Sequence, residues 1–441
     1  MNLRQFSLFL GLAAALGLGA CRKPAPDETV YTGKSPSTGG VGGVGGTGGA
    51  LPTGGSAGSA GGDGGVAVFD GIDGAAPDVP FSKPALLSQL ADCAVAHYQH
   101  FAAQADELEK AASGHAAART PATSSSARGA FVQAMAAWQQ AELFRFGPAA
   151  QATEPGGQDF RDNIYAWPLF GRCKVEEQLV SQAYSGPGFA TSLINGRGLG
   201  ALEYTLYYSG SDNACTQFSA INANGTWAAL GDPELALRKA HYAAAVAKDV
   251  RARSLGLLSA WSPAGGNFRF ELAKAGSGSA VFASDQKALN AVSDALFYIE
   301  REVKDLKLGR PIGLVECFTA TCPEAVESPY AGLSVDHVRQ NLIALRRLFH
   351  GCYPGNTGLG FEDWLRAVGA SDIADDLGAA IAGALVATTT IDLPLEQAVV
   401  AEPAKAAALH QAIKQISDLL KVEFVTVLNL ELPKTVVGDN D

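Results

Sequence analysis

The chain has 441 residues, of which 47% are hydrophobic and 17% charged, and its formal net charge is −11 at pH 7. This acidic balance, together with the lack of a long basic run, argues against nucleic acid and anionic lipid surfaces as partners. After the N-terminus no segment offers about 20 consecutive apolar residues, so we expect a soluble domain without a membrane-spanning helix.

The N-terminus has the features of a secretory signal. Arg4 precedes an apolar run from Phe6 to Leu18, which is too short to span a membrane. The sequence LGAC that ends at Cys21 resembles the lipobox of bacterial lipoproteins, in which the cysteine is acylated and becomes the new N-terminus. We therefore predict that residues 1–20 are removed and that Cys21 anchors the chain to a membrane. An ordinary signal peptide that ends near a cysteine is the alternative.

The anchor also predicts a location in the cell envelope. Residue 22 is arginine rather than aspartate, which favours the outer membrane over the inner one, with the domain in the periplasm or at the cell surface. Residues 21–80 are rich in glycine and hold too few apolar side chains to offset chain entropy. We predict a disordered tether with a root-mean-square span on the order of 45 Å.

Cysteine content agrees with an oxidising compartment. If Cys21 is lipidated, six of the seven cysteines remain: Cys93, Cys173, Cys215, Cys317, Cys322 and Cys352. An even number predicts up to three disulfides, among fifteen possible connectivities. The close pair Cys317 and Cys322 is the pairing we favour. A zinc site is the alternative, although no CxxC or paired histidine spacing supports it.

Apolar residues beyond residue 81 repeat at intervals of three and four, which predicts amphipathic helices. The spacing is found in Leu90–Leu108, Leu235–Leu258, Leu289–Leu306, Val335–Leu348 and Leu409–Val427. Ser284 is positioned to cap the third of these, which Gly309 and Pro311 end, and Pro403 opens the last.

Helices this long and numerous exceed one four-helix bundle. No run of alternating residues with hairpin turns indicates strands. We therefore predict an all-α fold of two packed antiparallel helical bundles, residues 81–262 and 263–441, with the boundary in the Trp261–Gly266 stretch.

Four segments, taken in order, resemble the imelysin family of exported bacterial proteins. They are AWQQAELFRFGP (137–148), RGLGALEYTLYYSG (197–210), DLKLGRPIGL (305–314) and ESPYAGLSVDHVRQNLIALRRLF (327–349). The resemblance spans almost all of residues 85–441. It implies two helical bundles with a cleft between them, a place in the periplasm or on the outer membrane, and a link to iron acquisition. Some members were named insulin-cleaving metallopeptidases, and their signature is GxHxxE on a helix.

The matching stretch in this chain lacks the histidine of that signature. It runs from Gly198 to Glu203 and has Gly200 at the histidine position. Glycine cannot ligate, and a metal would lack the imidazole that such sites use. Gly200 also costs about 1 kcal/mol of helix stability relative to alanine, so it could instead permit close approach of a neighbouring helix or ligand. We interpret this change as the loss of the proposed metal pair, and a bound metal ion is only a weak expectation.

Glu203 remains a candidate within an apolar helix. It either pairs with a buried arginine between the bundles, for which Arg145 and Arg172 are the candidates, or contacts a ligand or metal. Asp162, Trp167 and Arg172 belong to a loop that resembles a short connecting segment of the family, and they are second-rank site candidates.

Trp138, Glu142 and Arg145 lie four and three residues apart and therefore share one helix face. Trp138 is expected in the core rather than as a platform for a ligand. Glu142 and Arg145 are either a surface pair or are held near the cleft. His97 and His100 lie three residues apart and could chelate a metal, although solvated or core histidines are the simpler interpretation.

These observations favour a non-enzymatic lipoprotein that binds a small ligand, a metal complex or an envelope protein in the cleft, in the setting of iron uptake. There is no HExxH motif, and the family signature is incomplete, so we do not expect an enzyme. The alternatives are a metallopeptidase with an altered metal site and a structural envelope protein. The sequence does not identify the ligand.

Overall fold

Helices make up most of residues 69–433, the part of the chain that a computed structural model describes. Within that range fifteen α-helices follow one another: α1 (Lys83–Ala118), α2 (Pro121–Ala141), α3 (Phe160–Ile164), α4 (Arg172–Ser181), α5 (Leu199–Tyr207), α6 (Ala220–Ala223), α7 (Gly231–Trp261), α8 (Phe268–Ala273), α9 (Asp285–Leu296), α10 (Ser334–His350), α11 (Phe361–Ala367), α12 (Ser371–Thr388), α13 (Leu395–Ala401), α14 (Pro403–Leu419) and α15 (Val425–Val427). Two π-helical segments, Ile299–Gly309 and Leu420–Phe424, extend α9 and α14.

Short 3₁₀ turns join some of these elements, at Gly147–Ala149, Ala183–Ser185, Phe189–Thr191, Ile194–Gly196 and Pro323–Ala325. The described range contains no β-strand, only an isolated bridge between Tyr353 and Thr357. The predicted all-α class is therefore confirmed. None of the helices in residues 69–433 is long and apolar enough to cross a membrane.

Several predictions concern residues outside the described range. The signal peptide, the lipid on Cys21 and the tether as far as residue 68 stay predictions. Residues 69–80, the last part of the predicted tether, are described, and Phe69 and Ile72 already contact the helical part of the chain.

Local sequence accounts for where the main helices begin. The Ser82 hydroxyl accepts a hydrogen bond from the Ala85 amide at the start of α1, and Pro84 lies in its first turn. Ser284 caps α9 as predicted, with its hydroxyl 3.3 Å from the Lys287 amide. Pro403 opens α14, also as predicted. The two serine caps satisfy amides that the first helical turn leaves without partners.

Packing of the long helices brings together helices that are far apart in the sequence. α1 lies along both α2 and α7, and α5 packs on α7. α10 packs against α2 on one side and against α12 on the other, while α14 contacts α12 and the segment Ile299–Gly309. The contact between α2 and α10 therefore joins residues from before and after residue 262. The division into two bundles at that residue stays a prediction.

Three disulfides fasten this packing. Cys93–Cys352 joins α1 to the loop after α10, Cys173–Cys215 joins α4 to the loop after α5, and Cys317–Cys322 closes the predicted small loop. Each bond of this kind adds about 2–4 kcal/mol of stability. Pairing also removes the thiolates that the alternative zinc site requires, so that alternative is wrong for these cysteines.

Candidate functional site

The segment that matches the family signature begins α5, and its first glycine is required by the backbone. Gly198 has φ +78°, and a Cβ atom there would lie 2.4 Å from the carbonyl oxygen of Ile164. An L-residue would therefore be strained by its conformation and blocked by the neighbouring backbone. Gly198 lets α5 start directly against the end of α3.

The Phe170 side chain, which was not predicted as a site residue, occupies the space beside Gly200. A Cβ atom at position 200 would lie 3.3 Å from both Cγ and Cδ2 of Phe170. The expected close approach at Gly200 is thus made by a phenylalanine from the connecting segment, not by a helix backbone. A histidine side chain at position 200 would have to displace that ring.

Glu203 is held by the loop that precedes α10. Its Oε1 atom accepts hydrogen bonds from the Ser328 hydroxyl at 2.9 Å and from the amides of Tyr330 and Ala331 at 3.0 Å each. The side chain is buried, and this burial raises the pKa of Glu203, while the three donors and His337 lower it. One carboxylate oxygen thus fixes the loop against α5.

The predicted pairing of Glu203 with an arginine is wrong. Arg145 lies 2.7 Å from Glu302, and Arg172 lies 2.6 Å from Glu176. Backbone amides in the 330–331 turn reach Glu203 at lower cost than a long guanidinium side chain, because they lose no rotamer freedom.

Next to this loop lies a fully buried group of polar side chains, which we call the Lys307 cluster: Gln139, Lys307, Glu327, His337 and Asn341. The Lys307 ammonium donates to Gln139 Oε1 at 2.7 Å and to Asn341 Oδ1 at 2.9 Å, and lies 3.0 Å from Glu327 Oε2. Gln139 Nε2 donates to Glu327 Oε1 at 3.0 Å, and His337 Nδ1 lies 3.0 Å from Glu327 Oε2.

Charge in the cluster is balanced around one carboxylate. Burial alone would raise the pKa of Glu327, but the ammonium of Lys307 and the imidazole of His337 lower it to about 2. Amide and carboxylate oxygens are ligands that a hard metal cation would also accept. In this chain the Lys307 ammonium lies among them and supplies the positive charge.

The four family-like segments meet at this place. Gln139 comes from the first, Glu203 from the second, Lys307 from the third, and Glu327 opens the fourth. None of the five residues of the Lys307 cluster was predicted as a site residue from the sequence. One available signal was the position of Lys307, four residues after Val303 on the apolar stripe of a helix.

Trp138, Glu142 and Arg145, which were predicted to share one helix face, have different partners in the structure. Trp138 is fully buried and packs on Phe101 at 4.9 Å between ring centroids, so its expected place in the core is confirmed. Glu142 is also buried and lies 2.6 Å from Arg161. Because Arg145 turns to Glu302 instead, the suggested surface pair of Glu142 with Arg145 is wrong.

Asp162 and Trp167, the predicted residues of the connecting segment before α4, have different neighbours in the structure. Asp162 lies 3.0 Å from Arg161, and the Trp167 ring centroid lies 5.8 Å from the Lys307 nitrogen. Between them, burial raises the pKa of Tyr165 strongly, and the carboxylates of Glu327, Glu203 and Glu142 raise it further. Tyr165 was not predicted as a site residue, and it lies near two predicted carboxylates, Glu203 and Glu142, as well as near Glu327.

Arg172 marks the outer side of this region. Its guanidinium lies over the Tyr208 ring at 4.2 Å and is also bound to Glu176 and to Asp212, at 2.6 and 2.8 Å. Tyr204 and Tyr330 pack around Tyr208, with ring centroids 5.4 and 5.5 Å away. The predicted cleft residue is therefore part of an aromatic and charged cluster next to the loop that binds Glu203.

The other groups of potential metal ligands in the described residues each include a disulfide. In residues 69–433 two groups of three such side chains lie close together, Cys93 with His97 and Cys352, and Cys173 with Glu177 and Cys215. A groove of about 590 Å³ runs along α4 and is lined mostly by polar side chains, among them Lys174, Glu177, Gln178, Asn224 and Thr226. No residue of the Lys307 cluster lines it.

Comparison with known proteins identifies the fold. The model of the imelysin peptidase family matches residues 94–422. A crystal structure assigned as an iron-regulated protein A precursor from Parabacteroides distasonis ATCC 8503 has a TM-score of 0.61 at 16% identity, covering 81% of this chain and 97% of its own. An imelysin-like protein from Psychrobacter arcticum 273-4 has a TM-score of 0.58 at 16% identity, covering 80% and 96%. No curated protein matches the sequence.

Proposed function

Because the chain belongs to the imelysin family, we propose that it is a non-enzymatic binding lipoprotein of the cell envelope that works in an iron-related process. It takes its ligand as a small molecule, a metal complex or a protein, not as a bare metal ion held by Glu203. The iron-related role is supported by the assignment of a structural relative as an iron-regulated protein.

The main support for this proposal is that the Phe170 ring occupies the space beside Gly200, the position of the histidine in the family signature. The residues at 200 and 203 do not fit the histidine–glutamate pair of the family, because Phe170 lies against Gly200 and three donors already bind Glu203 Oε1. A metal bound there would have to displace a ring and compete with two backbone amides. The four family-like segments still converge, so the family architecture is retained without its proposed metal pair.

The altered-ligand peptidase is the weaker candidate. It would have to use His337 and Glu327, the buried imidazole and carboxylate that lie 3.0 Å apart. The Lys307 ammonium lies at the same distance from the same Glu327 oxygen, and its charge would repel a metal cation. A purely structural envelope protein would differ from the proposed binding protein in that it retains no ligand.

The test compares bare ions with an iron complex. The mature chain is equilibrated with Zn²⁺, Fe²⁺ or ferric citrate, desalted and examined by native mass spectrometry, and insulin B chain is used as a peptidase substrate. We expect no stoichiometric bare ion and no proteolysis, with retention of the ferric complex. Gly200→His alone is expected to gain no metal, whereas Gly200→His with Phe170→Ala has room for the imidazole. Chelator-sensitive proteolysis that is lost in His337→Asn would overturn the non-enzymatic assignment, and lack of any retained iron complex would favour the structural role.

Lipidation is tested separately. Bacteria that express the full chain are expected to incorporate labelled palmitate into it, and Cys21→Ser is expected to abolish the label because the acylated thiol is removed. The double replacement Cys317→Ser and Cys322→Ser is the control, since it removes a disulfide that closes only a small loop and leaves the lipobox intact. Label that persists in Cys21→Ser would contradict the anchor.

A further inference from the structure

The segment just before α1 docks on the helical part of the chain through one aromatic ring. Phe69 stacks on the His100 ring, with centroids 4.4 Å apart and an angle of 6° between the planes. The edge of His97 faces the same ring at 5.0 Å. The guanidinium carbon of Arg347 lies 4.8 Å from the ring centroid on the α10 side. Phe69 thus occupies a pocket with walls from α1 and α10.

Backbone contacts fix the residues that follow. Arg347 donates a hydrogen bond to the Phe69 carbonyl, and the Ile72 amide donates to the Cys352 carbonyl at 2.8 Å. Gly71 has φ +92°, and a Cβ atom there would lie 1.9 Å from the Cys352 oxygen. The pocket therefore requires glycine two residues after the aromatic residue, which is a sequence requirement and not simple apolar contact.

The pocket is cationic, and Asp70 complements it. The pKa of Arg347 is lowered to about 10. Burial is the main cause and the charge of neighbouring Arg346 adds to it, whereas the charge of Asp70 acts in the opposite direction. Burial also lowers the pKa of His97 and of His100, and Arg347 adds to both effects. An acidic residue directly after the aromatic one offsets the charge of the guanidinium.

The walls of the pocket are held independently of the segment that fills it. The disulfide Cys93–Cys352 ties α1 to the loop after α10, so the two walls stay together. Arg347 Nη1 donates to Gln140 Oε1 at 2.8 Å and lies 3.3 Å from His97 Nε2. Phe69 itself is only partly buried, and it precedes the residues that the family model matches. Its removal would leave a formed pocket.

We infer that His97, His100 and Arg347 form a recognition pocket for a peptide with an aromatic residue, an acidic residue and then glycine, and that Phe69–Ile72 fills this pocket in cis as a latch. The latch fixes the preceding chain at residue 69, well before α1 begins. This inference is independent of the proposed function. It also accounts for the spacing of His97 and His100, which places both rings against Phe69.

The experiment supplies the missing segment as a separate molecule. Phe69→Ala in the full chain should open the pocket, and the probe is the peptide N-acetyl-Phe-Asp-Gly-Ile-amide, measured by calorimetry. We expect binding with one-to-one stoichiometry to the variant, and at least tenfold weaker binding to the wild-type chain, whose own segment competes. Phe218→Ala, which removes an exposed phenylalanine elsewhere, is the matched control and should behave as wild type.

Three further comparisons make the result specific. A peptide with alanine in place of glycine should bind to Phe69→Ala at least tenfold more weakly than the original peptide does. The original peptide should likewise bind at least tenfold more weakly to a variant that combines Phe69→Ala with His100→Ala. Cleavage by endoproteinase Asp-N at Asp70 should be faster in Phe69→Ala than in wild type, with unchanged thermal unfolding of the core as the check on folding. Equal cleavage rates and no peptide binding would overturn the inference. Wild-type dimers that dissociate in Phe69→Ala would overturn the assignment of the latch to the same chain.

Discussion

Replacement of Lys307 with methionine is expected to lower the free energy of unfolding by about 3 kcal/mol, the usual cost of leaving a buried charge without its partner. The ammonium is fully buried and lies among oxygens of Gln139, Asn341 and Glu327. Methionine fills a similar volume but offers no donor, so the Glu327 carboxylate keeps Gln139 and His337 and loses its cationic partner. Urea unfolding followed by circular dichroism measures the change.

A matched control and a second replacement test whether the loss of stability in Lys307→Met comes from the unpaired charge of Glu327. Lys110→Met removes an exposed lysine that also lies 2.8 Å from carboxylates, and it should change stability little because such pairs are hydrated and screened. Glu327→Gln in the Lys307→Met background should recover much of the loss, since it removes the unpaired charge. A double variant no more stable than Lys307→Met would show that packing, not charge, causes the loss.

Acid should weaken the same interaction. The pKa of Glu327 in the folded protein is about 2, below the value near 4.3 of an unfolded glutamate, so the ion pair contributes fully above about pH 4.3. This contribution is lost as the pH falls from there towards 2. The difference in unfolding free energy between wild type and Lys307→Met should therefore narrow over that interval, whereas a constant difference would contradict the assignment.

Glu203→Ala is expected to cost about 3 kcal/mol, because the Ser328 hydroxyl and the amides of Tyr330 and Ala331 lose their common acceptor. Glu203→Gln keeps a side-chain oxygen in the same place and should cost much less. Thermal unfolding distinguishes the two variants. Amide hydrogen exchange at residues 328–333 should rise in the alanine variant only, since the loop is released from α5.

This pair of variants also separates a structural role from a ligand role. If Glu203 held a metal, glutamine would be nearly as harmful as alanine to metal content, because an amide is a poor substitute for a carboxylate ligand. If it holds the loop, stability follows the acceptor oxygen and not the charge. Equal loss of stability in both variants would contradict the hydrogen-bond account.

The helical class and several helix starts follow from local rules that the sequence displays. Ser284 and Pro403 begin helices because capping and the missing amide of proline act within one turn. The small loop of Cys317 and Cys322 is likewise local. Predictions of this kind need no knowledge of the tertiary structure.

The contacts of the site depend on distant parts of the chain, which local patterns do not reveal. Glu203 meets Ser328 across 125 residues of sequence, and Gln139 meets Glu327 across 188. Phe170 could not be connected with Gly200 because their contact depends on how α4 and the short turns after it fold back between them. The resemblance gave the four segments that converge, but the choice of Arg145 or Arg172 for Glu203 failed because backbone amides were not considered as partners.

The bond between Cys93 and Cys352 has a consequence for how the chain can be cut. It spans 259 residues, so it encloses α2 to α9, most of α1 and all of α10. A protease that cleaves any loop between these cysteines produces two fragments that remain one covalent molecule. Whatever holds the N-terminal fragment in place therefore also keeps the C-terminal helices, until a reductant separates them.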